Sequence, residues 1–132
     1  MLYIAVGLGG MVGALARYML GLVITNFAFS TFPYGTLFVN LTGSYFLSFV
    51  AYGSLLKWKL SKNYLIAINT GMIGSFTTFS AFSLEIMSLA TDFSLILTFI
   101  YIFLSLSLGL LFSWIGIRSA VKLFNKQSLT NR

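Results

Sequence analysis

This chain of 132 residues is 58% hydrophobic and only 8% charged, whereas about a quarter of an ordinary soluble domain is charged. It contains no Cys and no His, which excludes disulfides and removes the usual metal ligands and the usual general base. The apolar composition predicts an integral membrane protein. Glu85 and Asp92 are the only side-chain carboxylates, so the chain has too few acid/base groups for us to expect an enzyme.

Four apolar stretches predict a single domain of four transmembrane helices. Each stretch is near the ~20 residues that cross a hydrocarbon core of ~30 Å. Pro33, the only proline, suits the start of the second helix, and Asp92 is expected to cap the fourth. The predicted spans cover residues 2–27, 36–56, 63–89 and 93–117.

The basic residues predict the orientation of these spans. Seven of the eight lie in the second loop and the C-terminal tail, which share one side of the membrane with the N-terminus. The positive-inside rule places that side, and both termini, in the cytoplasm. We therefore interpret the net charge of +6 as the signal that orients the chain in the membrane, and we expect no nucleic-acid partner. The seven residues are Lys57, Lys59, Lys62, Arg118, Lys122, Lys126 and Arg132.

The third apolar stretch has an unusual centre. Residues 71–82 place two glycines and four hydroxyl residues at bilayer depth. Irregular backbone survives there only where protein buries it or where it lines a wet path, so a broken helix at an ion or substrate site is predicted. Alternatively, Gly71 and Gly74 form a packing face for another helix. Phe79 and Phe82 share a helix face and either pack in the core or present positive ring edges to an anion.

Other polar residues within the spans have two interpretations each. Tyr101 and Ser105 are most simply bonded to a neighbouring helix. Asn40 is harder to explain in this way, because its amide must be satisfied in lipid and its donor pair suits an anion. Arg17, the only basic residue inside a span, either pairs with Glu85 or acts electrostatically near an anion path.

Three motifs resemble the Fluc (CrcB) family of fluoride channels, and the likeness covers essentially the whole chain. They are Gly-Ala-Leu-Ala-Arg-Tyr at 13–18, Thr-Leu-Phe-Val-Asn-Leu-Thr-Gly-Ser at 36–44, and Gly-x-x-Gly-x-x-Thr-Thr-Phe-Ser-x-Phe at 71–82. The resemblance implies a passive, fluoride-selective channel of a prokaryotic plasma membrane that exports cytoplasmic fluoride. It also implies an all-α membrane fold of four helices, the third broken, assembled as an antiparallel dimer of the dual-topology type.

The same resemblance assigns roles to residues. The backbone carbonyls of Gly74 and Thr77 would hold a structural sodium ion at the dimer interface. Ala81 and Gly109 stand where some family members carry a hydroxyl, so this chain would have fewer polar groups along the implied pore. The implied fluoride pore is lined by Phe79, Phe82, Asn40, Tyr101 and Ser105, with Thr78 as a further hydroxyl.

The charge bias affects the expected partner. A chain that inserts in both orientations needs balanced loop charge, whereas this chain should insert one way only. We therefore favour a heterodimer with a paralogous subunit of reversed charge bias, with a homodimer as the alternative.

Two rival functions are less well supported. A proton-coupled multidrug exporter needs a carboxylate embedded in the membrane, and the first span has none. A non-transporting subunit would leave Asn40 and the run of Thr, Phe and Ser residues at 77–82 unexplained.

Overall fold

The computed structural model describes residues 2–27, 31–58 and 60–130, and every regular element within these ranges is a helix. Helix α1 covers Leu2–Phe27, and α2 covers Tyr34–Gly53 and continues into a π-helical turn, Ser54–Trp58. The third apolar stretch holds α3 (Lys62–Ile66), a π-helical stretch (Ala67–Ile73), α4 (Gly74–Phe76), α5 (Ser80–Ser88) and a π-helical turn (Leu89–Phe93). Helix α6 covers Leu95–Thr130.

Within the described residues, three helical segments are long and apolar enough to cross a membrane: Leu2–Phe27, Asn63–Phe93 and Leu95–Phe124. The protein is therefore an all-α membrane protein. Helix α2 begins directly after Pro33 and has 20 residues, about 30 Å at 1.5 Å per residue. Its Asn, Thr, Ser and Gly residues lower its hydropathy, so its place as a fourth span stays a prediction.

The helix of the third apolar stretch is interrupted between α4 and α5. Thr77 takes an extended conformation (φ −74°, ψ 157°), and helical structure resumes at Ser80. We call residues 62–76 the N-terminal half-helix and residues 80–93 the C-terminal half-helix. The seven π-helical residues from Ala67 to Ile73 precede this break. π-helical turns are rare in proteins as a whole, but those that occur often lie at functional sites.

The start of α6 differs from the prediction that Asp92 caps it. Asp92 lies inside the π-helical turn, where its carboxylate accepts hydrogen bonds from the hydroxyls of Ser88 (3.0 Å) and Thr91 (2.9 Å). Ser94 is extended (φ −160°, ψ 130°) and directly precedes Leu95, the first residue of α6. The prediction was wrong because the π-helical turn carries the chain past Asp92 and leaves Ser94 at the cap position.

Helix α1 packs against the N-terminal half-helix through glycines. A Cβ added at Gly13 would overlap the carbonyl oxygen of Met72, and one added at Gly71 would lie 2.6 Å from the carbonyl oxygen of Val6. The backbones of the two helices are therefore in contact. The packing explanation holds for Gly71 but not for Gly74, where an added Cβ would reach only 3.4 Å from the nearest backbone oxygen.

Helix α2 packs along α6. Gly116 of α6 is buried against Tyr45 and Ser48 of α2. Near the N-terminal ends of these helices, Leu37, Leu41, Leu89 and Tyr101 form a buried core cluster. Polar residues of both helices, Asn40 and Ser44 of α2 and Ser105 of α6, line one cavity next to the break.

Candidate functional site

Asn40 of α2 binds the backbone at the helix break. Its Nδ2 donates to the carbonyl oxygen of Thr78 (2.9 Å), and its Oδ1 accepts from the amide of Thr78 (2.8 Å). Polar groups at bilayer depth must be satisfied inside the protein. The amide of Asn40 supplies the hydrogen bonds that helical neighbours would give to Thr78 in an unbroken helix.

This pairing leaves a carbonyl of the N-terminal half-helix without a helical donor. The i+4 donor of Gly74 would be the Thr78 N–H, which binds Asn40, and its i+3 donor would be the Thr77 N–H, which donates to Ile73 (3.0 Å). The i+4 donor of Thr77 is the N–H of Ala81, which donates to the hydroxyl of Thr78 (3.2 Å). Unwound carbonyls at a half-helix C-terminus are the oxygen ligands that sodium takes in membrane transporters. The donor set at Gly74 and Thr77 therefore fits a sodium ion.

A cavity of about 320 Å³ lies beside the break and gathers most of the predicted pore residues. Five of the six expected pore residues line it, and Tyr101 is the one that does not. Its wall combines α2, the break, the first turn of the C-terminal half-helix and α6. The lining residues are Asn40, Ser44, Leu47, Thr77, Thr78, Phe79, Phe82, Ser105 and Leu106.

The two phenylalanines of this cavity have different surroundings. Their ring centroids are 5.9 Å apart and the rings are inclined by 44°. Phe82 also packs against the ring of Tyr101, with centroids 5.1 Å apart, which holds it in place. Phe79 is 79% exposed. The ring of Phe82 is therefore held by its own chain, while most of the Phe79 side chain is exposed in the single chain.

Ser105 offers a hydrogen-bond donor to the cavity. Its Oγ is buried and has no hydrogen-bond partner among the described residues. The neighbouring hydroxyls of α6 differ, since Ser107 donates to the carbonyl of Phe103 (2.6 Å) and Thr98 donates to that of Ser94 (2.9 Å). A buried hydroxyl without a partner is costly, so the position favours a ligand or a water that accepts its proton.

Tyr101 lies behind the cavity in a network with Glu85. Its side chain is fully buried, and its hydroxyl donates to Glu85 Oε2 (2.6 Å). The hydroxyl of Thr36 donates to Glu85 Oε1 (2.6 Å). Thr36 was missed as a functional candidate, although its place one turn before Asn40 on α2 puts both on one helix face.

Arg17 does not pair with Glu85 in this structure. No ion pair joins the two side chains, both of which are described, and the Glu85 carboxylate is held by hydroxyls instead. Both residues line a second, larger cavity of about 630 Å³ at the end that carries the first loop. Thr78 lines both cavities. This arrangement favours the electrostatic interpretation of Arg17, with its charge beside a cavity that adjoins the break.

Comparison with known proteins identifies related chains. A family model described as "CrcB-like protein, Camphor Resistance (CrcB)" matches residues 4–117. The chain is 43% identical over 120 residues to the fluoride-specific ion channel FluC 2 of Geobacillus kaustophilus, covering 91% of this chain and 93% of the relative. It is 41% identical over 116 residues to FluC 1 of a Bacillus cereus strain, covering 88% of this chain and 85% of the relative. It is 37% identical over 117 residues to FluC of Thermosipho melanesiensis, with 88% and 93% covered.

Proposed function

The chain belongs to the CrcB family, and from that premise we propose that it is a passive fluoride-selective channel that exports cytoplasmic fluoride and protects against its toxicity. The observation that carries this proposal is the cavity at the helix break. It combines the rings of Phe79 and Phe82 with the hydroxyl of Ser105, and among the described residues that hydroxyl has no partner and no charged side chain lines the cavity.

The chemistry of the cavity suits fluoride. Fluoride is small and strongly hydrated, so a selective path must replace its water shell without binding it too tightly. The hydroxyl of Ser105 and the second hydrogen of Asn40 Nδ2 are neutral donors, and the edges of the phenylalanine rings are weakly positive. Tyr101 and Glu85 act from behind the cavity, where they hold the ring of Phe82 and the start of α2.

Transport needs no energy source in this mechanism. Hydrogen fluoride enters from acidic surroundings and dissociates in the cytoplasm, and the negative-inside potential then drives the anion out. Arg17 raises the local anion concentration at the larger cavity by its positive charge, since low-dielectric walls focus such a field. An ion leaving the cytoplasm passes Thr78, which lines both cavities, before it reaches the larger cavity and Arg17.

The working channel is a dimer in which α2 is a fourth crossing and the two subunits run antiparallel. The 79% exposure of Phe79 supports a partner, because irregular backbone at bilayer depth must be covered by protein. The charge bias places both termini in the cytoplasm and favours a paralogous partner of reversed bias over a second copy. The numbered names FluC 1 and FluC 2 of the Bacillus and Geobacillus relatives support a pairing of related chains.

A sodium ion at the dimer interface would be held by the carbonyl oxygens of Gly74 and Thr77. When bound, it supplies positive charge next to the negative end of the N-terminal half-helix. The residues of this chain prepare the site independently, because Asn40 removes the Thr78 N–H from the ladder of helical hydrogen bonds. The ion is structural, and the fluoride gradient and membrane potential alone drive transport.

The test is fluoride efflux from liposomes that contain this chain purified alone, with chloride as the control anion. Efflux of fluoride but not chloride supports both the channel and a homodimer. If the folded protein alone gives no fluoride efflux, and a related chain of reversed charge bias restores it, the result supports the heterodimer. If neither the single chain nor the mixture of the two chains gives fluoride efflux, or if chloride leaves equally fast, the proposed function is contradicted.

A further inference from the structure

The C-terminal part of α6 carries an exposed row of one aromatic and two basic side chains. Trp114, Arg118 and Lys122 follow each other at intervals of four residues, so they lie on one face of the helix. All three are exposed, and Trp114 is 53% exposed. The guanidinium carbon of Arg118 lies 4.9 Å from the centre of the Trp114 ring, a cation–π contact. We call these three residues the basic ladder.

The ladder faces away from the rest of the chain. Gly116 and Ala120 are buried on the side of α6 that faces α2. Each is two residues from a ladder residue, which corresponds to about 200° around the helix at ~100° per residue. Trp114 and Arg118 therefore point outward, towards whatever surrounds the subunit.

The length of α6 sets the depth of the ladder in the membrane. The helix has 36 residues, about 54 Å at 1.5 Å per residue, whereas the hydrocarbon core is about 30 Å thick. A crossing of about 20 residues from Leu95 ends near Trp114. Tryptophan is enriched at this membrane–water interface, and Arg118 and Lys122 then lie one and two turns further, at the depth of the headgroups.

The positive charge of the basic ladder indicates which kind of ligand it binds. No acidic residue follows Asp92 in the sequence, so no carboxylate side chain of α6 or the tail neutralises the ladder. We propose that the basic ladder is a binding site for anionic phospholipid headgroups, with phosphatidylglycerol as the simplest representative. The two cations contact the lipid phosphate, while the Trp114 ring lies beside the upper acyl chain. Juxtamembrane basic residues bind anionic lipids in this way, and the interaction is independent of fluoride conduction.

The chain itself offers a probe for this site. It has two tryptophans, so Trp58→Phe leaves Trp114 as the only one and keeps an aromatic ring in contact with Phe49 and Phe124. The full-length variant is reconstituted in phosphatidylcholine with increasing amounts of brominated phosphatidylglycerol or brominated phosphatidylcholine, and quenching of Trp114 fluorescence is measured. We expect the anionic lipid to quench at a mole fraction at least about fivefold lower than the neutral one.

Substitutions then assign the preference to the ladder. Arg118→Gln combined with Lys122→Gln should abolish it, with about a fivefold loss for each residue. Arg118→Lys keeps the charge and should keep the preference. Lys57→Gln, the matched control, removes one charge at the same end but off the ladder and should also leave it unchanged. If the double variant does not fold, the salt dependence of the starting protein decides, because high salt should remove the preference.

Several results would overturn the proposal. Equal quenching by both lipids means that the ladder has no charge preference, and quenching by neither means that a second subunit covers it. Persistence of the preference in the folded double variant assigns it to another surface. Displacement of the brominated lipid by soluble glycerol phosphate would show that free phosphate, and not the lipid, is the ligand.

Discussion

Asn40 and Thr78, 38 residues apart in the chain, are joined by two hydrogen bonds between one side-chain amide and one backbone unit. The 2.9 Å bond uses the amide nitrogen as donor, and the 2.8 Å bond uses the amide oxygen as acceptor. This pairing makes the broken helix possible, because it satisfies both backbone groups of Thr78 at a depth where water is scarce. It also makes Asn40 a structural residue, whatever contact it makes with the ion.

The first prediction follows from this pairing. Asn40→Ala leaves the backbone groups of Thr78 without partners and should lower the free energy of unfolding by about 2 kcal/mol or more. Thermal unfolding in detergent measures it, and fluoride efflux should fall as well. Thr42→Ala on the same helix is the control, since that hydroxyl only adds bonds to the carbonyls of Phe38 and Val39. Equal stability of the two variants would contradict the structural role of Asn40.

Ser105 allows a prediction in which stability and function change independently. Ser105→Ala removes a buried hydroxyl that has no partner in the described structure, so it should leave stability unchanged or slightly raised. Fluoride efflux should fall by about tenfold, the equivalent of one lost hydrogen bond of about 1.4 kcal/mol. Ser107→Ala removes a hydroxyl already bonded to the carbonyl of Phe103 and should leave efflux unchanged. Normal efflux in Ser105→Ala would remove this residue from the proposed path.

The ring edge of Phe79 is the third target. Phe79→Leu keeps an apolar side chain but removes the positive edge, so efflux should fall by at least about tenfold while the variant folds normally. Because Phe79 is 79% exposed in the single chain, its replacement costs little packing within the subunit. Phe103→Leu replaces another exposed phenylalanine, 71% exposed on α6, and serves as the control. Efflux that falls equally in both variants would indicate a general loss of assembly.

Arg17 tests the electrostatic interpretation. Arg17→Gln should reduce fluoride efflux several-fold at low ionic strength, and the difference should shrink in concentrated salt of an impermeant anion, because screening removes the field. The unfolding midpoint should change little, since no ion pair with Glu85 is lost. Arg17→Lys keeps the charge and should keep efflux. A large loss of stability in Arg17→Gln would instead support a structural pairing.

The glycine contact between α1 and the N-terminal half-helix gives a prediction about stability alone. Gly13→Ala places a methyl group on the carbonyl of Met72 and should destabilise the protein by about 1–3 kcal/mol, because one of the two backbones has to shift. Gly7→Ala on the same helix has no neighbour within 4 Å and should stabilise it by up to about 1 kcal/mol through helix propensity. Thermal unfolding of both variants measures the two opposite shifts. Equal shifts would contradict the close backbone contact.

The break at the candidate site could be predicted from a local sequence pattern. The glycines and hydroxyls of residues 71–82 predicted a break in the third apolar stretch, and the structure breaks there after Phe76. The partners of the site residues did not follow, because they depend on which helix faces meet. Glu85 was a candidate partner of Arg17 by depth alone, yet Thr36 and Tyr101 hold it through bonds that span 49 and 16 residues.

The membrane environment, the charge bias and the family could be read from the chain alone, since hydropathy and loop charge add up residue by residue and the motifs are contiguous. Three-dimensional packing was needed to show that Asn40 closes the break, that Tyr101 lies behind the cavity and that Ser105 is left without a partner among the described residues. The packing of α2 on α6 fixes these relations, and it depends on contacts such as that of Gly116 with Ser48. Hydrogen-bond partners are chosen by distance and direction in space, which helical periodicity along one chain does not specify.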